Sequence, residues 1–290
     1  MTKILINGSF FCRNLTGIER FAHEVCKRLD ALAKPDEFAI LIPSNAKSEI
    51  IPQYKNIEII KSDKICKIFP IWEHIHFSNA AKKIKAIPLD FANATPLFYP
   101  GIVFLHDIYA KDFPKDFTTF KEKLIRLYDC AMFCHAAKKS KQLITVSEFS
   151  KNQIAKAYKI DESKIEVIYN GWEHYNSIEE DNSIFEKFPK LKTAQYFFTL
   201  GSLSKRKNLK WIASYAEKHK ESIFAVSGKA ISGLVSPELA ILQKLENVVL
   251  CGYVSDAQVK SLMKNCKAFI FPSYYEGFGI PPLEALSCGA

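Results

Sequence analysis

The sequence predicts an α/β protein with two domains, each built on a parallel β-sheet. Short runs rich in β-branched and aromatic residues alternate with stretches of helical periodicity along the 290 residues. These runs are continuously apolar, as parallel strands covered on both faces must be. A polar stretch at 173–192 has no clear apolar period and separates two such series, so it is interpreted as a linker.

The first series contains six predicted strands and three predicted helices. The strands are 3–6 (KILI), 38–42 (FAILI), 57–60 (IEII), 102–106 (IVFLH), 143–146 (LITV) and 165–168 (IEVI). The helices are 18–32, 118–140 and 149–157. The alternation of strand and helix is typical of βαβ units and therefore of a Rossmann-like domain.

The second series repeats this pattern. Its predicted strands are 196–200 (YFFTL), 223–227 (IFAVS), 247–252 (NVVLCG) and 268–272 (AFIFP), and its helices are 209–219 and 256–265, the latter with Ser255 as N-cap. We therefore expect two Rossmann-like domains facing each other across a cleft. The predicted boundaries are 1–175 for the first domain, 176–193 for the linker and 194–290 for the second domain.

Composition excludes several classes of protein. With 48% hydrophobic and 24% charged residues, the chain has enough apolar material for two cores and too little charge for disorder. The most apolar stretch, 97–105, is short and contains Pro100 and Gly101, so it does not predict a membrane span. The N-terminus enters a strand-like segment without the pattern of a signal peptide, and we expect a cytoplasmic protein.

Cysteines and charge point to no metal or nucleic acid. The eight cysteines form no C-x-x-C pair, which favours reduced thiols, and His74 and His76 lack nearby ligands that would complete a metal site. The net charge of +9 lies mainly in the first half and suits anionic partners such as phosphates or a membrane surface. No nucleic-acid motif accompanies it.

The strongest signal is the segment 271–290, FPSYYEGFGIPPLEALSCGA. Glycines and prolines forbid a helix at Glu276, and a helix is expected to begin near Pro282 with Glu284 in its first turn. The amides of Phe278, Gly279 and Ile280 would then form an anion site suited to a diphosphate. The alternative is a plain strand–turn–helix in which Glu284 complements the helix dipole, and the residues alone do not decide between the two.

The same segment resembles the E-x7-E signature of family 4 retaining glycosyltransferases, which have the GT-B fold. Glu276 and Glu284 match its two glutamates. The resemblance implies that Glu276 contacts the donor sugar, that Glu284 contacts the ribose, and that the intervening amides of Phe278, Gly279 and Ile280 hold the phosphates of a nucleoside-diphosphate sugar.

The segment 197–209, FFTLGSLSKRKNL, is similar to another donor-binding motif of this family. Lys207 matches the lysine that neutralises the diphosphate, and Arg206 is expected to assist it. Ser202 stands where other relatives have an arginine, which resembles the branch with Thr or Ser. The alternative interpretation is an exposed basic turn before a helix, but the flanking strand and helix favour a phosphate site.

Three further segments match the family in order and spacing. In 247–273, a backbone group near Val254 is implied to meet the nucleobase. In 102–114, His106 matches a histidine that reaches the donor sugar, although a histidine at a strand end is more often structural. In 14–29, Gly17 lies in the glycine loop that approaches the donor phosphates or the acceptor.

The resemblance implies transfer of a hexose, with mannose or rhamnose as candidates, to a polysaccharide or lipid-linked glycan with retention of anomeric configuration. Without a D-x-D motif, we expect no metal and no cofactor. The acceptor would bring the protein to the inner face of the cell membrane. The first alternative is a weakly active or inactive binding protein, and a nucleic-acid-binding protein is the second.

The end of the chain carries a further expectation. The sequence stops at Gly289 and Ala290, where another strand of a doubly wound sheet should begin. We therefore expect the second domain to be incomplete and less stable than the first, which hydrogen exchange along the two domains would test.

Overall fold

The computed structural model describes residues 2–201, 204–228 and 238–290. The chain divides into two compact units. The first comprises Met1–Lys111 and Leu127–Asn170, and the second comprises Asp112–Arg126 and Gly171–Ala290. The second unit therefore takes in a short stretch from the first half of the sequence.

The first unit is built on a seven-stranded parallel sheet with the order β3-β2-β1-β4-β5-β6-β7. Its strands are β1 Ile4–Asn7, β2 Phe38–Ile42, β3 Glu58–Lys61, β4 Ile87–Asp90, β5 Ile102–Phe104, β6 Gln142–Thr145 and β7 Ile165–Val167. The order reverses between β1 and β4. In an open α/β sheet, such a topological switch point is where ligands bind, at the carboxyl ends of the strands.

Helices connect these strands. They are α1 Gly17–Leu32, α2 Phe69–Ile71, α3 Ser78–Lys83, α4 Tyr109–Asp112, α5 Phe120–Lys139 and α6 Glu148–Tyr158. A π-helical stretch, Trp72–Phe77, joins α2 to α3. α1 buries Ala22 and Cys26 against the apolar side chains of the sheet.

The second unit repeats the arrangement with four described parallel strands in the order β10-β9-β8-β11. The strands are β8 Tyr196–Leu200, β9 Ile223–Ser227, β10 Val248–Gly252 and β11 Ala268–Phe269. The helices are α7 Ile184–Lys187, α8 Pro189–Thr193, α9 Leu209–Lys218, α10 Leu239–Leu242, α11 Asp256–Asn265 and α12 Ile280–Ser287. Ser255 caps α11 in a full capping box with Gln258, as its sequence position predicts. None of the helices within the described ranges is both long and apolar enough to cross a bilayer.

The predicted α/β class with two parallel sheets is confirmed, while several elements differ from the prediction. β4 was not predicted, because Pro88 and Asp90 interrupt its apolar run. The strand predicted at 268–272 pairs over Ala268–Phe269 alone. α12 begins at Ile280, two residues before Pro282, because a first helical turn needs no N–H from either of its prolines. Glu284, which was predicted to lie in the first turn, therefore lies beyond it.

The stretch 176–193, predicted as a linker, packs into the core of the second unit. Ile184, Phe185 and Leu191 are buried there beside Tyr196 and Phe198 of β8. α7 and α8 are only four and five residues long, so neither is long enough to show a helical period in the sequence. The segment is therefore polar over most of its length, as a linker would be, but its few apolar side chains belong to the core.

A buried polar cluster lies at the switch point of the first sheet. The Asn7 side chain, at the end of β1, donates hydrogen bonds to Glu73 (2.6 Å) and to Asp90 (2.7 Å), and accepts one from the Trp72 indole (2.7 Å). Glu73 Oε1 and Asp90 Oδ2 are buried and have no protein partner in the structure. Burial, followed by the charge of Asp90, raises the pKa of Glu73 well above its ordinary value, and burial raises the pKa of Asp90 to about 7. Both shifts favour a pair that retains a proton when the protein folds.

The substitution Glu73→Gln tests this buried proton. A carboxyl whose pKa is raised on folding stabilises the fold below its unfolded pKa of about 4 and loses that contribution as pH rises through the folded pKa. We expect the wild type to lose roughly 2 kcal/mol more stability than Glu73→Gln between about pH 5 and about pH 8, because the amide needs no proton. Urea unfolding across this range measures the difference.

Glu49→Gln provides the control, since Glu49 is an exposed carboxylate in the same unit. Its stability should follow the wild-type pH dependence. If the curves for Glu73→Gln and the wild type run parallel, protonation of Glu73 does not contribute to the pH dependence of stability.

Candidate active site

The candidate site of the second unit lies where β8 and β11 pair in parallel. The strand order reverses between these two strands, so their carboxyl ends form the switch point of this sheet. The loop after β8 carries Arg206 and Lys207, and the loop after β11 carries Glu276. The order of the strands therefore brings together two motifs that are far apart in the sequence. Glu276 is 70 residues from Arg206 and 69 residues from Lys207.

Two cations hold the Glu276 carboxylate. Arg206 Nη1 lies 2.8 Å from Oε2, and Lys207 Nζ lies 2.7 Å from Oε1. The side chains of Arg206, Lys207 and Glu276 are 26%, 12% and 17% exposed, respectively. The cluster is therefore partly desolvated and still reachable from solvent. Charge-assisted hydrogen bonds of this length fix the carboxylate more firmly than an exposed ion pair would.

Backbone contacts align the two loops. Asn208 has a left-handed backbone (φ 55°) and donates its side-chain amide to the Pro272 carbonyl at 3.1 Å instead of capping α9. The Tyr274 amide donates to the Arg206 carbonyl at 3.1 Å. These bonds set the register between the basic turn and the Glu276 loop, so the ion pairs do not depend on side-chain reach alone.

Two glycines make room for Lys207. A Cβ on Gly201 would lie 2.9 Å from Lys207 Cε, and a Cβ on Gly228 would lie 1.6 Å from the Gly201 carbonyl oxygen. Lys207 Nζ also lies 4.8 Å from the centroid of the Phe271 ring, a cation–π contact that fixes the ammonium from a second side. The lysine is thus confined by backbone, ring and carboxylate.

The residues between the two glutamates form the expected turn into a helix. Gly279 (φ 84°) precedes α12, and the amides of Gly279 and Ile280 lie before the intrahelical ladder begins. Phe278 lies in the same loop and is half-buried. Pro281 and Pro282 contribute no N–H, so the donor groups of this helix start are concentrated in the residues that the sequence singled out.

Glu284 is buried inside the second unit. Its Oε1 lies 3.1 Å from His174 Nε2, and both side chains are 6% exposed. The two atoms are close without being aligned as a hydrogen bond. Sequence analysis did not find His174, because it lies in the polar stretch interpreted as the start of a linker and no motif marks it.

The other residues that were predicted to bind the donor lie in different surroundings. Val254 is 7% exposed, and its side chain packs in the core of the second unit. The predicted contact with a nucleobase would therefore involve its backbone. Ser202 lies outside the described residues. Gly17 begins α1 in the first unit, and a Cβ there would meet nothing within 4 Å, so the fold itself does not require a glycine.

His106 follows β5 in the first unit and is 8% exposed. Its Nε2 lies 2.9 Å from the Phe91 carbonyl and its amide donates to Asn93 Oδ1 at 2.7 Å. Burial lowers the pKa of His106, which favours the neutral ring with the proton on Nε2 and leaves Nδ1 as the acceptor nitrogen. Asp107 accepts from the Tyr109 amide at 2.9 Å and so orients this loop.

A cavity of about 200 Å³ opens beside this loop in the first unit. Its lining includes Asn93, Arg13, Asp129, Tyr128 and Phe133. Burial, with a contribution from Asp107, raises the pKa of Asp129 to about 6. Among the described residues, no group of three or more His, Cys, Asp or Glu side chains is arranged to hold a metal ion.

Comparisons with known families identify the family of the chain. Residues 15–174 match the family described as Glycosyltransferase Family 4, and residues 180–290 match the family described as Glycosyl transferases group 1. The first match covers more than half of the chain. The chain therefore belongs to glycosyltransferase family 4.

Individual relatives are more distant. The chain is 28% identical over 195 residues to the O-antigen chain mannosyltransferase RfbU of Salmonella typhimurium, which covers 66% of this chain and 51% of that protein. It thus matches about half the length of this relative. It is 24% identical over 305 residues to the O-antigen chain mannosyltransferase B of Escherichia coli, covering 95% of this chain and 77% of that protein.

Solved structures share the fold. The crystal structure of Anabaena HepE in complex with UDP and glucose matches with a TM-score of 0.65 and 16% identity, covering 100% of this chain and 79% of that chain. Sucrose-phosphate synthase from Thermosynechococcus elongatus matches with a TM-score of 0.69 and 11% identity, covering 100% and 80%. This likeness shows the GT-B fold class.

The buried contact between His174 and Glu284 yields a prediction about stability. His174→Leu leaves the buried Glu284 carboxyl group without its nearest polar neighbour, and we expect a loss of about 2–3 kcal/mol in the free energy of unfolding. Adding Glu284→Gln should recover part of this loss, because an amide is less costly to bury without a partner than an ionisable carboxyl group. Urea denaturation of the single and double variants measures both effects.

The second unit contains a matched control. His219 and Glu221 also form a histidine–glutamate pair, at 3.3 Å, but their side chains are 42% and 72% exposed. His219→Leu should change stability little. Equal losses in His174→Leu and His219→Leu would show that the buried pair has no special weight.

Proposed function

We propose that this chain is a retaining glycosyltransferase that transfers a hexose from a nucleoside-diphosphate sugar to a glycan or lipid-linked acceptor. The observation that carries the proposal is the cluster of Glu276, Arg206 and Lys207 at the switch point of the second sheet. A helix start rich in donor groups follows it directly. Such a combination provides positive charge for a diphosphate and a carboxylate for sugar hydroxyls.

Relatives narrow the choice of donor. Both O-antigen relatives are described as mannosyltransferases, which favours mannose as the sugar. HepE, in contrast, has been solved with UDP-glucose. We therefore propose GDP-mannose as the first donor to test and UDP-glucose as the second.

The residues would divide the chemistry between them. The bond between the anomeric carbon and the phosphate oxygen breaks with its electron pair leaving on the phosphate, and Lys207 and Arg206 stabilise that charge. The acceptor hydroxyl forms the new bond on the same face and gives its proton to a phosphate oxygen. Glu276 orients the sugar, Glu284 the ribose, and the neutral ring of His106 offers a hydrogen-bond acceptor to the sugar.

The direct test is transfer of radiolabelled sugar from GDP-mannose or UDP-glucose to membrane extracts containing lipid-linked glycans. We expect transfer from one of the two donors, with the anomeric configuration retained when the product is analysed by NMR. Transfer should persist in EDTA, since Lys207 and Arg206 supply the positive charge that a metal would otherwise bring. A strict requirement for manganese or magnesium would contradict the proposed phosphate site.

Substitution of the two glutamates separates their proposed roles. Glu276→Gln should lower kcat by roughly tenfold or more with a smaller change in KM, because it acts on the reacting sugar. Glu284→Gln should mainly raise KM for the donor, because it acts on the nucleoside. Steady-state kinetics with a fixed acceptor measures both.

The outcome also separates the enzyme from the alternative of a binding protein. Unchanged kinetics in Glu276→Gln would remove this residue from the active site. Selective binding of a donor nucleotide without any transfer would favour a binding protein that retains the donor site.

A further inference from the structure

The cations that are proposed to bind the diphosphate already have an anionic partner in the protein. Lys207 Nζ and Arg206 Nη1 each contact a different oxygen of Glu276, at 2.7 Å and 2.8 Å. A diphosphate that uses the same two cations brings further negative charge to within a few ångströms of that carboxylate. The two anions therefore share a pair of positive groups and repel each other.

The groups around Lys207 restrict the movement of its side chain away from Glu276. The Gly201 backbone, the Phe271 ring and the Glu276 carboxylate surround its amine. The loop carrying Glu276 is tied to the basic turn through the Tyr274 amide and the Asn208 side chain. Carboxylate and cations are thus held together by the backbone, and the repulsion cannot be relieved by separating the two loops.

We propose that Glu276 is an internal competitor of the diphosphate, so that the site selects nucleotides that carry a sugar. A nucleoside diphosphate alone meets the repulsion of the carboxylate without compensation. A nucleoside-diphosphate sugar compensates it, because sugar hydroxyls donate hydrogen bonds to the same carboxylate. This inference rests on the proposed function and assigns Glu276 a role in selectivity in addition to its role in orienting the sugar.

The same competition acts on the product. After transfer, the nucleoside diphosphate no longer carries the sugar that offset the repulsion. The Glu276 carboxylate then competes again with the diphosphate for Lys207 and Arg206. Release of the product is then favoured by the residue that had oriented the substrate. Product release limits turnover in many enzymes, and faster release would then raise kcat.

The test is isothermal titration calorimetry of the full chain and of Glu276→Gln with GDP, UDP, GDP-mannose, UDP-glucose and inorganic pyrophosphate. Glutamine keeps the shape of the side chain and removes its charge. We expect Glu276→Gln to bind the matching nucleoside diphosphate and pyrophosphate roughly tenfold more tightly than the wild type, within the range usual for coupled sites. The affinity for the matching nucleotide sugar should change much less, so that the preference for the sugar-bearing nucleotide is lost.

Glu180→Gln is the matched control. Glu180 forms an ion pair with Lys264 in the same unit, with 2.6 Å between Lys264 Nζ and Glu180 Oε1. Like Glu276→Gln, this variant removes one negative charge and breaks a lysine–glutamate pair. Its affinity for nucleoside diphosphates should equal that of the wild type. An equal gain in Glu180→Gln and Glu276→Gln would attribute the effect to net charge and overturn the inference.

A second variant covers the case in which Glu276→Gln does not fold. Glu276→Asp keeps the charge but shortens the side chain by one methylene, which weakens its hold on both cations. It should shift the affinity for the nucleoside diphosphate in the same direction by a smaller factor. A weaker or unchanged affinity in the folded variants overturns the inference and leaves the proposed function intact. If neither the wild type nor any variant binds a nucleotide, the proposed function itself is wrong.

Discussion

The close approach of two backbones at Gly201 and Gly228 is the constraint on which the candidate site depends. Any side chain at Gly228 would collide with the Gly201 carbonyl, and a side chain at Gly201 would push Lys207 aside. Because both positions lack a Cβ, the ends of β8 and β9 converge and the basic turn after β8 lies against the loop after β11. The path of the backbone thus brings residues 206, 207 and 276 close together. The types of side chain at these positions then determine that ion pairs form there.

Much of this arrangement could be predicted from the sequence, because the elements concerned have local signals. Continuous apolar runs such as 38–42 and 196–200 indicate parallel strands, and both match the observed bounds. The glycines and prolines around Glu276 exclude a helix there and predict one shortly afterwards. The parallel order of strands then places the residues that follow β8 and β11 at one edge of the sheet.

What could not be predicted depends on contacts between distant segments. β4 has a proline and an aspartate in a four-residue strand, and only its pairing with β1 and β5 makes it a strand. α7 and α8 are too short to show a period, so their burial depends on the core that they cover. His174 meets Glu284 across 110 positions of sequence, and neither residue carries a pattern that points to the other.

The two units treat acidic residues at their switch points in opposite ways. In the first, Glu73 and Asp90 are buried, each accepts a hydrogen bond from Asn7, and burial raises the pKa of both carboxyls. In the second, Glu276 is satisfied by two cations and remains 17% exposed. A buried polar cluster cannot exchange its partners without losing hydrogen bonds, whereas a partly exposed ionic cluster can exchange one anion for another at modest cost. The same topology thus supports a buried polar centre in one unit and a partly exposed ionic centre in the other.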